Sequence, residues 1–261
     1  MAIKAIIYSA QRKVKTVIFA LMYEPLRCIA LRKVRYNDRH DILTVYTREH
    51  GRLSLMTPAG GGRQAARVKA ITQPLGIFEC VADMRPNREI LSMRDVVPVF
   101  APAGLNPLKA TLALFIADVL AALLRETQPD RNLFDFTELS ARTLGEASVS
   151  SAANFHICFL LRLQHFMGVE PDWSTYSSGR VLDFADGIFR DTPPLHGRYI
   201  SPTESEAARQ LSRMNYRNMA LFRFSRADRN RILDRIIAFY NTHFQGLASI
   251  NSLGILRAMF D

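Results

Sequence analysis

The spacing of apolar residues along this chain changes its period once, near residues 98–106. Upstream of this point, short runs rich in β-branched and aromatic residues are separated by turn-forming residues, and none has a helical period. Downstream, apolar residues recur every three to four positions, which is typical of the buried face of an α-helix. We therefore predict an α+β protein in which a small β-barrel precedes an α-helical domain. Five runs are predicted to form the barrel: residues 27–36, 42–47, 52–57, 71–81 and 88–97.

Residues 57–70 (TPAGGGRQAARVKA) are predicted to be a flexible loop between two strands, and their glycines raise the question of a phosphate-binding site. A nucleotide-binding P-loop requires Lys and then Ser or Thr after the last glycine, but Arg63 and Gln64 stand there. A dinucleotide-binding fingerprint requires a βαβ unit, whereas we expect a strand to follow. A nucleotide site is therefore not indicated. The following run contains Pro74, which predicts an edge strand or a bulge.

Helix-start and helix-stop signals organise the second part of the chain. Asn106 is a predicted N-cap with Pro107 in the first turn, and Ser201 with Glu204 is a predicted capping box. Further helices are expected at about 131–146, 152–167, 225–246 and 252–260, and a short hairpin around 181–190. The predicted organisation is an N-terminal extension (1–23), a barrel domain (24–100) and a helical domain (101–261) with a mostly irregular insert at about 171–200.

The positive charge of the chain is concentrated in its first part. The formal net charge is +10, and residues 1–100 contain 17 Lys and Arg against 8 Asp and Glu, while residues 101–261 contain 17 against 16. No acidic residue occurs from His50 to Phe78. This asymmetry favours a module that faces a polyanion, with a merely solvated basic surface as the alternative. The candidate phosphate-binding residues are Arg32, Lys33, Arg35, Arg39, Arg52, Arg63, Arg67 and Lys69. The candidate rings for base stacking are Tyr36, Tyr46 and Phe78, and for each of them a position in the core is the alternative.

A second basic stretch lies in the helical part of the chain. Residues 209–235 contain eight arginines, opposed only by Asp228 and Asp234. Two interpretations remain open: a solvated helix face, or a site for DNA or for an acidic peptide. The candidate residues for binding the tail of a partner protein are Arg217, Arg223, Arg226 and Arg229. The apolar residues interleaved with them, which would form the groove, are Met214, Tyr216, Met219, Leu221, Phe222 and Phe224.

Sequence patterns of catalytic and metal sites do not occur in the chain. There is no G-x-S-x-G, no H-x-x-x-H and no D-x-D cluster. His156 and Cys158 are two residues apart on a predicted helix, so they point to different faces and core roles are expected. The other cysteines, Cys28 and Cys80, form no C-x-x-C pair, which is typical of buried, reduced thiols in a cytosolic protein. We predict no catalytic residue, no metal and no cofactor.

Three segments of the chain resemble the RecO family of bacterial recombination mediators: DRHDILTVYTREHGRLSLMTPAGGGR, ITQPLGIFECV and FLLRLQHFMGVEPD. The resemblance spans about residues 24–261. It implies an OB-fold barrel followed by a helical domain, in a protein that is not an enzyme. It also implies binding of single- and double-stranded DNA, annealing of complementary strands, and help in loading RecA on DNA coated with single-stranded DNA-binding protein. The implied partners are DNA, RecR and the acidic C-terminal tail of single-stranded DNA-binding protein, with no membrane, in a cytoplasmic, nucleoid-associated protein.

The chain departs from the pattern of that family at one place. Many members carry a four-cysteine zinc module after the G-x-x-P turn, but residues 172–199 contain no cysteine here. We therefore expect no zinc, and we expect packing of Trp173, Tyr176, Phe184 and Phe189 in its place. Two other functions are alternatives: a protein–protein adaptor whose DNA contact is incidental, and a nuclease, which the missing metal-binding carboxylates disfavour.

Overall fold

The computed structural model of the chain describes residues 22–101, 106–124 and 128–260. These residues form two compact units. The first, the barrel unit, consists of residues 22–101 and 128–134, and the second, the helical unit, consists of residues 106–124 and 135–260. The predicted N-terminal extension lies outside the described residues up to position 21, and the first strand begins at Tyr23. No described helix is long and apolar enough to cross a membrane.

Five strands of the barrel unit form a closed barrel: β1 (Tyr23–Arg35), β2 (His40–Thr47), β3 (Gly51–Pro58), β4 (Ile77–Asp83) and β5 (Ile90–Phe100). They pair in the order β1-β2-β3-β5-β4, β4 closes on β1, and only β3 with β5 is parallel. The interior is apolar, and Cys28, Val45, Leu55 and Phe78 are completely buried in it. The prediction of an α+β fold with an N-terminal OB-like barrel is confirmed.

A helix follows the three glycines, where the sequence predicted a flexible loop and then a strand. This helix, α1 (Arg63–Ile71), buries Ala65, Val68 and Ile71 along one face. A stripe of three apolar residues among alanines and cations is too short to stand out as helical periodicity, so the sequence pattern missed it. The loop prediction is therefore wrong for residues 63–70. The lack of a following helix no longer counts against a nucleotide site, but the lack of Lys and Ser or Thr after the glycines still does.

The first part of the fourth predicted run is not a strand either. Thr72 caps α1 by donating its hydroxyl to the carbonyl of Val68 at 2.8 Å, and Pro74 lies in the turn that follows. Gly76 allows a close backbone approach, because a Cβ there would lie 2.5 Å from a carbonyl oxygen of the helix end. β4 begins only at Ile77, so the prediction that Pro74 marks an edge strand or a bulge is wrong.

The helical unit contains the predicted helices with their predicted caps. Asn106 accepts the N–H of Lys109 at 3.1 Å, and Ser201 with Glu204 forms the capping box. The first four residues of the helix Arg131–Glu146 belong to the barrel unit. The helices are α2 (Pro107–Leu123), α3 (Arg131–Glu146), α4 (Val149–Ala152), α5 (Phe155–Phe166), α6 (Pro202–Leu211), α7 (Arg226–His243) and α8 (Asn251–Phe260).

Residues 171–200 contain a small sheet of three strands: β6 (Val181–Asp183), β7 (Ile188–Arg190) and β8 (Tyr199–Ile200). The predicted hairpin around 181–190 is confirmed by the pairing of β6 with β7. The four aromatic residues predicted to pack here do so. The ring of Phe189 lies 5.5 Å from that of Trp173 and 5.2 Å from that of Tyr176, and Phe184 packs edge-to-face on Phe239 of α7 at 5.2 Å.

A buried carboxylate joins the two strands of this hairpin. The side chain of Asp183 is 2% exposed, accepts a hydrogen bond from Arg190 at 2.9 Å and lies 3.2 Å from a ring nitrogen of His196. It also accepts the N–H of Ala185 at 2.9 Å. Burial by itself raises the pKa of Asp183, but these hydrogen bonds and the neighbouring charges lower the pKa below its usual value. Among the described residues, no group of three or more His, Cys, Asp or Glu side chains is arranged to hold a metal ion.

Candidate nucleic-acid interface

The barrel unit brings several of the predicted phosphate-binding residues together. Lys33 of β1 donates its ammonium group to the hydroxyl of Thr72 at 2.7 Å, which places β1 beside the end of α1. Burial lowers the pKa of Lys33, Asp41 raises it, and the nearby charge of Lys69 lowers it further. Two lysines 36 positions apart in the sequence are thus neighbours in space. An anion placed between them would relieve their repulsion.

We call six of these side chains the basic cluster: Lys33 and Arg35 on one face of β1, Arg39 in the β1–β2 turn, and Arg63, Arg67 and Lys69 on α1. Arg35 lies 3.8 Å from Asp41, whereas Arg39 and the three cations of α1 have no carboxylate within ion-pair distance among the described residues. The backbone of Arg39 accepts the N–H of Ala59 at 2.8 Å, so the turn adjoins the start of the glycine segment. The cluster is therefore rich in cations that are available to an anionic ligand.

Two of the predicted residues are not part of this cluster. Arg32 is exposed on β1, but its side chain leaves from the face opposite to that of Lys33, because neighbouring residues alternate along a strand. Arg52 pairs with Tyr46 across β3 and β2, whereas the cluster lies at the other end of this ladder, near the pairing of His40 with Pro58. At about 3.4 Å per residue, that separation is roughly 20 Å. The sequence placed all eight residues in one module, but the face of β1 separates Arg32 and the position along the ladder separates Arg52.

Only one of the three candidate stacking rings is accessible. Tyr46 and Phe78 are completely buried, and the hydroxyl of Tyr46 donates to the backbone carbonyl of Asp130 at 3.2 Å. Tyr36 is 56% exposed and directly follows the end of β1. A base can therefore stack on Tyr36 but not on the other two rings.

Of the candidate tail-binding arginines of the helical unit, Arg217 and Arg223 precede α7, and Arg226 and Arg229 lie in its first turn. Arg217, Arg223 and Arg226 are exposed, and Arg229 is half-buried and donates to the carbonyl of Phe224 at 2.9 Å. Of the apolar residues interleaved with them, Met214 and Met219 are buried in the core. Tyr216 stacks on Phe155 with ring centroids 5.2 Å apart, and Leu221 is 78% exposed. Only the last two aromatic residues of the predicted set, Phe222 and Phe224, line an open groove.

This groove, the helical groove, has a volume of about 310 Å³ and lies within the helical unit. Two arginines of α7, Arg231 and Arg235, line it, but none of the four predicted tail-binding arginines does. Both residues belong to the arginine-rich stretch 209–235, but the sequence pattern predicted no role for them. It contained no signal for Gln164, a buried wall residue. The apolar lining includes Trp173, Phe184, Leu211, Phe222, Phe224 and Ile236.

His156 and Cys158 have the core positions expected for them. Both are completely buried in α5. Burial, and to a smaller extent the charge of Arg229, lowers the pKa of His156 to about 3, and burial raises the pKa of Cys158 to about 12. His156 is therefore neutral and Cys158 is a thiol at neutral pH, which makes neither a nucleophile nor an acid–base group.

The buried His156 predicts a pH-dependent stability. The unfolded chain binds a proton at this histidine near pH 6.5, whereas the folded chain does not until about pH 3, so stability is full above 6.5 and falls as the pH is lowered. Between pH 7 and pH 5 this histidine costs about 2 kcal/mol of unfolding free energy, a loss that His156→Phe removes. Urea unfolding of both proteins at the two pH values measures the difference. An equal pH dependence in the variant would contradict the buried, neutral imidazole.

Comparison with known protein families agrees with this two-unit arrangement. The family model described as "Recombination protein O N terminal" matches residues 22–101, and the model described as "Recombination protein O C terminal" matches residues 105–250. The chain belongs to the RecO family. The N-terminal match covers the five strands of the barrel unit, and the C-terminal match covers most of the helical unit.

Curated RecO proteins are similar to this chain over most of its length. The DNA repair protein RecO of Phocaeicola vulgatus is 34% identical over 234 residues, which cover 89% of this chain and 97% of that protein. The DNA repair protein RecO of Bacteroides fragilis is 34% identical over 236 residues, with the same coverage. That of Porphyromonas gingivalis is 32% identical over 241 residues, covering 90% of this chain and 98% of the relative. The RecO family thus identifies DNA repair as the general function, and DNA and repair proteins as the general class of partners.

Proposed function

We propose that this RecO-family protein is a repair and recombination mediator that binds single- and double-stranded DNA and anneals complementary strands. The observation that carries the proposal is the basic cluster: Lys33 of β1 lies near Lys69 at the end of α1, and the cations of the β1–β2 turn and of α1 have no carboxylate within ion-pair distance among the described residues. Lysine and arginine side chains bind phosphate oxygens, and the release of counterions from DNA supplies affinity without regard to sequence. The exposed ring of Tyr36, just after β1, is suited to stacking on an unpaired base.

Annealing by this protein would need no covalent chemistry. Two complementary strands repel each other through their phosphates, and bound cations lower this repulsion while raising the local concentration of the strands. Base pairing then supplies the specificity. The exposed arginines of the helical unit provide further positive charge for a second strand. We accordingly propose a protein that is not an enzyme and uses no nucleotide, metal or other cofactor.

The proposed protein partners are RecR and the acidic C-terminal tail of single-stranded DNA-binding protein, with which the protein would help to load RecA on coated DNA. Positive charge in the helical unit supports the second partner, and Arg217, Arg223, Arg226 and Arg229 are the residues proposed for it. We propose a cytoplasmic, nucleoid-associated protein on the same basis. The alternative is an adaptor that holds repair proteins together and touches DNA only incidentally.

An annealing assay tests the proposed function directly. Complementary oligonucleotides, each coated with single-stranded DNA-binding protein, are mixed with and without this protein, and duplex formation is followed by fluorescence transfer. We expect annealing to be accelerated by on the order of tenfold or more, without nucleotide or divalent metal, because electrostatic capture raises encounter rates by at least that factor. Non-complementary strands are the control. Binding to the coated strands without acceleration would favour the adaptor, and metal-dependent cleavage of the strands would favour a nuclease.

A further inference from the structure

The α1 helix is attached to the barrel by a small apolar face. Its buried residues are Ala65, Val68 and Ile71, and Ile71 belongs to the same apolar core as Leu43 of the barrel. A helix of nine residues is not stable by itself in water, and Gly62 at the N-cap position provides no side-chain hydrogen bond. The helix therefore depends on its contacts with the barrel to stay in place.

Two consecutive side-chain hydrogen bonds add to this apolar contact at the C-terminal end of α1. The ammonium group of Lys33 donates to the hydroxyl of Thr72 at 2.7 Å, and that hydroxyl donates to the carbonyl of Val68 at 2.8 Å. We call these two bonds the Lys33–Thr72 tether. It connects β1 to the last turn of the helix, where a positive charge is favourable because the helix dipole is negative there.

The side chain of Lys33 points to the inner side of the barrel. Lys33 pairs with Leu43 on β2, Leu43 pairs with Leu55 on β3, and both leucines are buried in the core. Residues that pair across neighbouring strands have their side chains on the same side of the sheet. Lys33 is accordingly half-buried, whereas the three cations of α1 are exposed.

The hydrogen-bond partner of this lysine is a buried neutral group. Thr72 is 4% exposed, and no described carboxylate lies within ion-pair distance of Lys33. The charges of Asp41 and Lys69 change the pKa of Lys33 in opposite directions. A contact between the ammonium group and a phosphate would require breaking the hydrogen bond to Thr72, which leaves a buried hydroxyl with one partner fewer. Lys33 is therefore better placed to hold α1 than to contact DNA.

We propose that Lys33 is a positioning residue, which holds α1 on the barrel through Thr72 so that the three cations of the helix meet DNA together. This removes Lys33 from the phosphate-binding residues of the basic cluster. Without the tether, α1 is displaced in a fraction of the molecules, and the apparent affinity for DNA falls in proportion to the fraction that remains docked. The proposal rests on the proposed function in that DNA binds the cations of α1, but the tether itself does not depend on DNA.

Hydrogen exchange of the full-length protein without DNA tests the tether by itself. Lys33→Met removes the ammonium group and keeps the apolar stem, and Thr72→Val removes the hydroxyl and keeps the shape. Thr72→Ser keeps the hydroxyl and is the matched control. We expect the amides of residues 63–72 to exchange about tenfold faster in the first two variants and within about twofold of the native rate in the third, because exchange reports local opening. The amides of β2 should keep the native rate in all three.

The double variant Lys33→Met/Thr72→Val tests whether the two residues act through each other. When two residues share one contact, removing the first partner largely abolishes the effect of removing the second. We therefore expect α1 of the double variant to exchange no more than about twofold faster than α1 of Thr72→Val. Two independent residues would instead give an increase of about 100-fold over the native rate.

The salt dependence of binding to single-stranded DNA distinguishes positioning from phosphate contact. Because Lys33→Met and Thr72→Val both lower the docked fraction, we expect them to weaken binding by a similar factor, roughly threefold to tenfold, with the native slope of log affinity against log salt. If Lys33 contacted a phosphate, Lys33→Met would reduce that slope by roughly 0.7, and the neutral change Thr72→Val would leave binding as it is in the native protein.

Three results would overturn the positioning role: native exchange of α1 in both Lys33→Met and Thr72→Val, additive effects in the double variant, or a reduced slope in Lys33→Met with native binding by Thr72→Val. If Lys33→Met does not fold, equal exchange of α1 in Thr72→Val and Thr72→Ser overturns the tether instead. Coupled exchange of α1 in a protein that does not bind DNA would refute the proposed function and leave the tether, whereas DNA binding without the coupling would refute the tether alone.

Discussion

Replacing Arg63, Arg67 and Lys69 together with alanine is expected to weaken binding of single-stranded DNA by on the order of 100-fold at low salt, because each lost charged contact to a phosphate contributes about 1 kcal/mol or more. All three side chains are exposed on α1, and none is paired with a described carboxylate. Alanine favours the helix at each position, so the fold of α1 should be retained. The affinity is measured by anisotropy with a labelled oligonucleotide over a series of salt concentrations.

The salt dependence separates a phosphate contact from an indirect effect. Losing three phosphate contacts should reduce the slope of log affinity against log salt by about 2, since each contact to a single strand contributes roughly 0.7. Gln64→Ala, a neutral change at an exposed position of the same helix, is the matched control and should leave both the affinity and the slope unchanged. A slope that stays the same in the triple variant would show that α1 does not contact DNA.

Replacing Asp183 with alanine is expected to destabilise the helical unit by about 2 kcal/mol, because it removes a buried carboxylate that accepts hydrogen bonds from Arg190 and from the N–H of Ala185. The estimate is lower than for a fully buried ion pair, since Arg190 and His196 are 40% and 32% exposed and keep some contact with water. At 2–4 °C per kcal/mol, we expect the melting temperature to fall by about 5 °C. Trp173, the only tryptophan of the chain, lies in the same segment, so its fluorescence reports the transition.

The control for this variant is Asp186→Asn in the same hairpin. Asp186 also pairs with Arg190, but its side chain is 55% exposed, so its loss should cost less than about 1 kcal/mol. Acid provides a second check. The folded pKa of Asp183 lies below its unfolded value, so its contribution is present above about pH 4 and is lost as the pH falls further. Equal melting temperatures for the two variants would contradict a special role of Asp183.

The sequence predicted most elements of the fold from local signals. The α3 helix at 131–146 was predicted with its exact observed limits, and the caps at Asn106 and Ser201 form the predicted hydrogen bonds. Such caps depend on residues three positions apart, which is why a sequence pattern contains them. The α1 helix was missed because its stability comes from burying three residues, and the pattern of those three alone is weak.

The candidate interface was predicted only as a set of cations. Charge counting placed the candidate residues in the barrel unit, but it did not separate Arg52 and Arg32 from the rest, since strand register and the alternation of side chains are not written in composition. It also proposed Tyr46 and Phe78 as stacking rings, although both belong to the core. Apolar aromatic residues alternate in the same way on a buried face and on a binding face, so only burial distinguishes them.

The sequence by itself determined the order of the elements, the caps of the helices and the concentration of positive charge in the barrel unit, because periodicity, capping and composition are local properties. Only the tertiary structure decided which of those charges are neighbours. The approach of Lys33 to Lys69, the burial of Asp183 beside Arg190, and the lining of the helical groove by Trp173 and Phe224 all join residues through barrel closure and helix packing. These contacts depend on the packing of whole elements, which no short stretch of sequence encodes.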